Sequence, residues 1–445
     1  MSKQAKLIIW FLALSLLPTF ARAFIIQEAN LTTAPDASQS NSGIKVELPA
    51  PTGSLAVGRI AYHWTDSSRG EPFSTTPGAH REVMVYIWYP ANAQPNAPTL
   101  PYLQSFASLE KCAGETEMKD LLGAAYVSVK SGELRTHAAQ DASISTSSKQ
   151  YPLLVFSPGF GEYSLTYSAM LEDLASHGYV VAAIDHPYDA TCVAFPDGRS
   201  IAFAQDKWDA AKKQLDSMMA YYGSRIEVWA ADTRFALDQL TRYNKMQSLK
   251  APFAGRLDIR RIGVFGHSVG GMTAFRAGEL DNRFRAIMNQ DSDYQGKPFM
   301  PNSSAKNIKQ PFLFFVSQHS FYKHVPALTD EQLKAEKLTR AEFNKLMEEY
   351  DKNQEDALAN MSGGSYRVAV ETPLFTHRSF IDTALLKVCD NPTKMAQSLK
   401  NLEIVRTYTR GFFDKHLKSM KKTLLDETTA PDSGVSVNQY RGADK

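Results

Sequence analysis

Ser268 is the residue whose surroundings read most directly as chemistry. It lies in Arg260-Arg-Ile-Gly-Val-Phe-Gly-His-Ser-Val-Gly-Gly-Met-Thr-Ala274, where an apolar strand, Ile262 to Phe265, passes through Gly266-His267-Ser268-Val269-Gly270 into a helix. A G-x-S-x-G turn between strand and helix is strained and lifts the serine Oγ clear of the sheet, as a nucleophile requires. Glycine flanks the serine because a side chain at either place would meet the neighbouring strand or helix. The chemistry implied is attack on a carbonyl through a covalent acyl-enzyme. Chance supplies this pentapeptide in about one chain in ten of this length, so the reading requires a base, an acid and an oxyanion hole elsewhere.

On a strand-turn-helix scaffold the order is serine, acid, then histidine, each on a loop leaving a strand. Of the ten histidines, His319, His324, His377 and His416 follow the candidate acids. His377, in Phe375-Thr-His-Arg-Ser-Phe-Ile-Asp382, sits just after a strand near Tyr366 to Val370, where a base can reach back over the sheet to Ser268. His319 competes from the mouth of the preceding strand. His416 falls inside a C-terminal helix and reads as a surface residue near its end. For the acid, the usual place after the strand ending at Val316 offers Ser317-Gln-His-Ser320 and no carboxylate. One strand earlier, Asn289-Gln-Asp-Ser-Asp293 supplies two, and Asp291, nearer the strand end, is favoured over Asp293 on geometry. Its task is to orient the imidazole and stabilise the imidazolium. The oxyanion donors are the backbone N–H of Val269 and that of Phe160, the latter in Ser157-Pro-Gly-Phe-Gly161. Asp185 and His186 end a central strand at the same side, and a satisfied structural pair is the preferred reading over substrate contact.

These loops need strands to carry them. Arg59 to Trp64 and Arg81 to Tyr89 alternate like paired antiparallel strands. Pro152 to Phe156, Tyr179 to Ile184, Ala286 to Gln290 and Pro311 to Val316 are buried parallel strands, with helices near Thr166 to His177, 205–244 and Thr393 to Leu417. The fold class is therefore α/β: an α/β-hydrolase fold with a mostly parallel central sheet flanked by helices. Ile226, Trp229, Thr233, Ala236 and Leu240 form a core stripe at helical spacing. Residues 95–150 are poorly periodic, with a helix around Ser108 to Ala124, and cover the sheet edge or line a pocket. Residues 328–360 are a helical insertion before the last strand, opened by two capping boxes, Thr329 to Gln332 and Thr339 to Glu342. Phe343, Leu346, Met347 and Tyr350 give it one apolar face, as a lid or as a decoration on the flank.

The chain has 445 residues, 43% hydrophobic and 22% charged, with a net charge of +2. A charge that small, without a basic stripe, argues against a nucleic-acid partner. Lys3 and Lys6 before the apolar run Leu7 to Phe20, then Ala21-Arg22-Ala23, read as a signal peptide over 1–23 cut after Ala23. The product is secreted or periplasmic. A flexible leader over 24–51, a hydrolase domain over 52–425 and a polar tail over 426–445 complete the division. Cys112, Cys192 and Cys389 lack zinc spacing, so neither a metal nor a cofactor is expected; buried thiols or one disulfide are both open. Sequons at Asn30, Asn302 and Asn360 matter only in a glycosylating host. Oligomeric state is not readable.

Across residues 52–420 the chain resembles the platelet-activating factor acetylhydrolase family, of the plasma and intracellular lipase-like type. The likeness rests on Thr52-Gly-Ser-Leu-Ala-Val-Gly58, Arg81-Glu-Val-Met-Val-Tyr-Ile-Trp-Tyr-Pro-Ala91, Ser157-Pro-Gly-Phe-Gly161, Gly266-His-Ser-Val-Gly-Gly271, Asp291 and His377. It implies a cofactor-independent serine esterase that removes short or oxidised acyl groups from the sn-2 position of phospholipids, with transient lipid-surface contact. The family often has Ser-His-Gly where this chain has Ser157-Pro158-Gly159, a form that also resembles cutinase-like polyester hydrolases. A short-chain carboxylesterase or polyester hydrolase is thus the alternative. A non-catalytic binding module is the remote one, since fold does not fix function.

Overall fold

Strand alternation decides the architecture. Leu153 and Val155 point into one apolar cluster while Leu154 and Phe156 point into another, so this strand is covered on both faces. The computed structural model describes residues 46–94, 96–246, 253–292, 303–317, 330–335, 338–427 and 434–442. Its main strands are β1 (Ala56–Gly70), β2 (His80–Asn92), β3 (Tyr151–Ser157), β4 (Val180–Asp185), β5 (Leu257–His267), β6 (Phe284–Gln290), β7 (Phe312–Ser317), β8 (Ser365–Val370) and β9 (Val435–Tyr440). They lie in the order β9-β8-β7-β6-β5-β3-β4-β2-β1, with short strands Arg135–Ala139 and Thr99–Pro101 beyond β1. From β4 to β8 neighbours run parallel, whereas β2 is antiparallel to both β1 and β4. Helices α1 (Ser168–Ser176) and α5 (Pro392–Leu417) cover one face, and α2 (Leu215–Lys245) and α3 (Val269–Leu280) the other. The expected stripe on α2 is wholly buried.

Register places the chemistry. Gly266 pairs with both Ser157 and Asn289, Gln290 with Phe315, and Ser317 with Val370. The carboxyl ends of β3, β5, β6 and β7 therefore stop at one level, and the residues that follow them share one edge of the sheet.

Three sequence expectations need correction. The tail is not simply polar: Val435–Tyr440 pairs antiparallel with β8 along its whole length, so β8 is the last parallel strand but not the last strand. Val435 and Val437, alternating with polar residues, pack on the core from this edge. Order also begins before Thr52, because Leu48 is buried and the Arg406 guanidinium donates to Pro49 O (2.9 Å) and Ala50 O (3.0 Å). Third, His416 is not a surface residue; it packs against the rings of Tyr366 and Phe412. Burial, with Lys415 adding to it, pushes its imidazole down to about 4. The folded protein thus resists a proton that the unfolded chain accepts near pH 6.5. Stability from this group is complete above that pH and falls as pH drops toward 4. Replacing His416 with Leu should flatten the decline in unfolding midpoint between pH 7 and 4.5 (measured by calorimetry).

Residues 106–113, 115–122 and 126–130 are helical, and Cys112 is joined to Cys192, so the cysteine question resolves to one disulfide and one free thiol, Cys389. The bridge spans 80 residues. Closing a loop of that length restricts the unfolded chain by about 4 kcal/mol on a chain-entropy basis. Cys112→Ser should lower the unfolding free energy by roughly 2–5 kcal/mol in chemical denaturation.

The insertion contains α4 (Arg340–Ala359), opened by the expected capping box of Thr339 and Glu342. Thr329 and the side chains of Gln332, Leu346, Met347 and Tyr350 lie outside the described residues. Phe343 is buried, and Leu358 and Met361 join Phe312 on the sheet's flank. Among the described residues no helix is long and apolar enough to cross a membrane.

Candidate active site

Ser268 caps α3 with φ 56° and ψ −127°, a conformation that side-chain-bearing residues seldom adopt. Its N–H donates to Gln290 O at 2.9 Å, so β6 fixes the turn. The flanking glycines are required by contact. A Cβ on Gly270 would run into the carbonyls of Ser157 and Pro158, and one on Gly266 into Ser157 O and Gly270 O. Gly271 is likewise pressed on Asn289 and Ser292.

Asp291 follows β6 in a left-handed conformation, φ 57°, which an aspartate tolerates, and its N–H donates to Phe315 O at 2.8 Å. The buried carboxylate accepts three bonds: Ser317 N–H on Oδ1 (2.8 Å), and Ser317 Oγ–H (2.8 Å) and His377 Nδ1 (2.9 Å) on Oδ2. His377 opens a short helical turn capped by Thr376, with its side chain 43% exposed toward solvent. Thus Asp291 and His377 are brought together, while Asp293, His319 and His324 lie outside the described residues. Neither Ser268 Oγ nor His377 Nε2 is hydrogen-bonded to a described residue; such contacts are often long before substrate binds.

Ser317 was not singled out from the sequence. The strand that lacks the expected acid instead supplies two donors to the Asp291 carboxylate after the preceding strand. The available signal was a polar residue ending an otherwise apolar strand, Phe312-Leu-Phe-Phe-Val-Ser317.

The loop after β3 has one unspent donor. Gly159 N–H donates to Tyr167 Oη (3.0 Å) and Gly161 N–H to Asp189 O (2.9 Å). The Phe160 N–H between them makes no bond to a described residue, nor does that of Val269 in the first turn of α3. Beneath the loop, Asp189 takes Arg225 and Trp229 Nε1 (2.7 Å), and His186 Nδ1 meets Asp232 at 2.8 Å, with Arg81 on the same carboxylate. His186 stacks on Trp229 with centroids 4.1 Å apart. It is a satisfied, buried histidine, and its neighbour Asp185 is buried as well; Asp185 accepts Ser164 N–H and is pushed up to about 6 by burial. Among the described residues no cluster of three or more His, Cys, Asp or Glu could hold a metal ion.

A parallel sheet whose central strand ends in a strained serine turn, with carboxylate and imidazole paired on later loops, is the α/β-hydrolase arrangement. The solved structure titled "Ferulic acid esterase from Streptomyces cinnamoneus at 2.4 A resolution" superposes with a TM-score of 0.63 at 27% identity, over 88% of this chain and 99% of that one. The family described as platelet-activating factor acetylhydrolase, isoform II, matches residues 40–347, and the chain belongs to it. That match holds Phe160, Ser268 and Asp291; His377 lies beyond it. The platelet-activating factor acetylhydrolase of Canis lupus familiaris is 28% identical over 62% of this chain and 60% of its own. The "Probable 1-alkyl-2-acetylglycerophosphocholine esterase" of Arthroderma benhamiae is 28% identical over 60% of this chain and 64% of its own. The chain thus spans somewhat under two thirds of the length of these relatives.

Proposed function

We propose that the protein is an exported serine ester hydrolase acting on short or oxidised acyl esters, the sn-2 acyl group of platelet-activating-factor-like phospholipids foremost. The observation that carries this is the Asp291–His377 pair at 2.9 Å, on the same sheet edge as a strained Ser268. Ser268 Oγ attacks the ester carbonyl while His377 Nε2 takes its proton. The oxyanion is met by the N–H groups of Phe160 and Val269, which have no other partner among the described residues. Collapse expels the alcohol, protonated by His377, and water then hydrolyses the acyl-enzyme by the same steps reversed. Every step uses this chain's own side chains and amides. The phospholipid assignment rests on family membership; export rests on the residue 1–23 pattern and a disulfide of the kind found in oxidising compartments.

One observation favours the broader esterase or polyester reading. The Phe160 ring meets Phe203 (5.3 Å) and Tyr221 (6.3 Å) edge to face, and all three are partly exposed, an aromatic surface beside the proposed oxyanion N–H that would favour an aromatic acyl group. A series of sn-2 acetyl to sn-2 palmitoyl phospholipids, run beside an aromatic polyester film, separates the two. Cleavage that falls steeply with acyl length supports the phospholipid reading; strong polyester cleavage with no sn-2 release overturns it. Failure of the wild-type protein to react with a fluorophosphonate would overturn both and leave a binding module.

A further inference from the structure

One buried hydrogen-bonded chain crosses beneath the candidate nucleophile. Gly159 N–H donates to Tyr167 Oη (3.0 Å), Tyr167 Oη meets His267 Nδ1 (2.9 Å), and His267 Nε2 meets the backbone carbonyl of His377 (2.8 Å). Its direction is fixed at both ends. A carbonyl can only accept, so His267 Nε2 carries the proton; in the neutral ring Nδ1 then accepts, and Tyr167 must donate to it. That leaves the phenol oxygen lone pairs for the Gly159 N–H. Tyr167 and His267 are both buried, and the His267 ring lies between those of His377 (4.4 Å) and Phe380 (5.3 Å). Burial, with the His377 charge second, holds the His267 imidazole well below its usual range, so it stays neutral and the direction persists. Gly159 is pressed against the same groups: a Cβ there would stand 3.3 Å from His267 Nδ1 and 3.4 Å from Ser268 Cβ.

We infer that Tyr167 and His267 are positioning residues that tie the loop carrying the Phe160 N–H to the backbone of His377, fixing oxyanion donor and base relative to each other across Ser268. This rests on the reading of Ser268, His377 and Phe160 given above. Neither residue touches substrate. Each acts by holding one end of the machinery, where displacement of about 1 Å can cost 10²-fold in rate.

The test uses Tyr167→Phe, His267→Gln and the double variant with p-nitrophenyl acetate, each rate normalised to active sites titrated with a fluorophosphonate. Tyr167→Phe removes both central bonds. His267→Gln can keep a donor to the His377 carbonyl and breaks the link to Tyr167. Each single change should lower kcat per titrated site about tenfold with KM within about twofold, because packing still holds the buried groups near their places once the chain is cut. Because both interrupt one link, the double variant should also fall about tenfold rather than about a hundredfold. A multiplied loss in the double variant overturns the inference. So does an unchanged kcat per titrated site in Tyr167→Phe, which would show a role in folding alone. Ser268→Ala serves as the separate control: if it still turns over, the reading of the site fails; if it is dead while Tyr167→Phe runs at the wild-type rate, only the chain fails.

Discussion

Ser268→Ala should lower kcat by about 10⁶-fold and abolish fluorophosphonate labelling, while leaving the unfolding midpoint nearly unchanged. The size follows from the loss of the covalent route, since serine and histidine act as a unit and removing either costs about as much as removing both. What remains is the rate supplied by the oxyanion donors and binding, of order 10³–10⁴ over water. The stability expectation is specific to this structure. Ser268 Oγ bonds to no described residue, and the backbone at φ 56° is held by the N–H bond to Gln290 O, which alanine keeps. An inactive Ser268→Ala protein with a lowered midpoint would mean that the turn, and not the hydroxyl, was lost.

The serine turn was legible because its contacts dictate residue type. A side chain on Gly266 would meet Gly270 O and Ser157 O, and one on Gly270 the Ser157 and Pro158 carbonyls, so only glycine fits at either place and the sequence records it. The pairing of His377 with Asp291 was legible for a different reason: few histidines follow the last parallel strand, and His377 lies on the loop that leaves it. Asp291 came from elimination, an empty position after β7 pointing to the strand before. What escaped depends on pairs far apart in sequence. Ser317 matters only because β7 lies beside β6, and Tyr167 only because the turn before α1 brings its hydroxyl to His267 Nδ1. The edge strand Val435–Tyr440 was hidden by composition. Two valines on one face and Tyr440 alone on the other, among polar residues, are too few to distinguish a strand from a tail. The Cys112–Cys192 bridge joins a helix to a short strand 80 residues on, a proximity that spacing does not encode.

The buried charges beneath the loop after β3 show where stability is committed to geometry. Arg225 and Asp189 are both almost wholly buried, as are Arg81 and Asp232. Pairs of this kind offset their own desolvation cost only when every lone pair is used, and replacing them with apolar side chains is often neutral for stability. Here the carbonyl of Asp189 receives the Gly161 N–H, and His186 reaches Ser157 Oγ at 3.4 Å. The network therefore sets the backbone on the far side of Phe160 while Tyr167 sets the near side. With both neighbouring amides committed, the N–H of Phe160 is left without a partner among the described residues, as the proposed oxyanion role requires.

Asp291→Asn should lower kcat by about 10⁴-fold, because all three of its partners are donors. Asn offers one oxygen and one NH₂ in place of two oxygens. The Ser317 backbone N–H on Oδ1 cannot reverse, so the amide oxygen must stay there and the NH₂ must face His377. The Ser317 hydroxyl can rotate to accept, but the imidazole can accept only by moving its proton from Nδ1 to Nε2. That tautomer has no lone pair for the serine proton. The Ser317 N–H thus makes the substitution worse than a lost charge. Ser317→Ala, which keeps that N–H and removes one bond to Oδ2, should cost only about tenfold, in line with the one hydrogen bond of about 1.5 kcal/mol that it deletes. Asp293→Asn should leave kcat unchanged. Full activity in Asp291→Asn, or a 10⁴-fold loss in Asp293→Asn, would move the acid two residues along the chain.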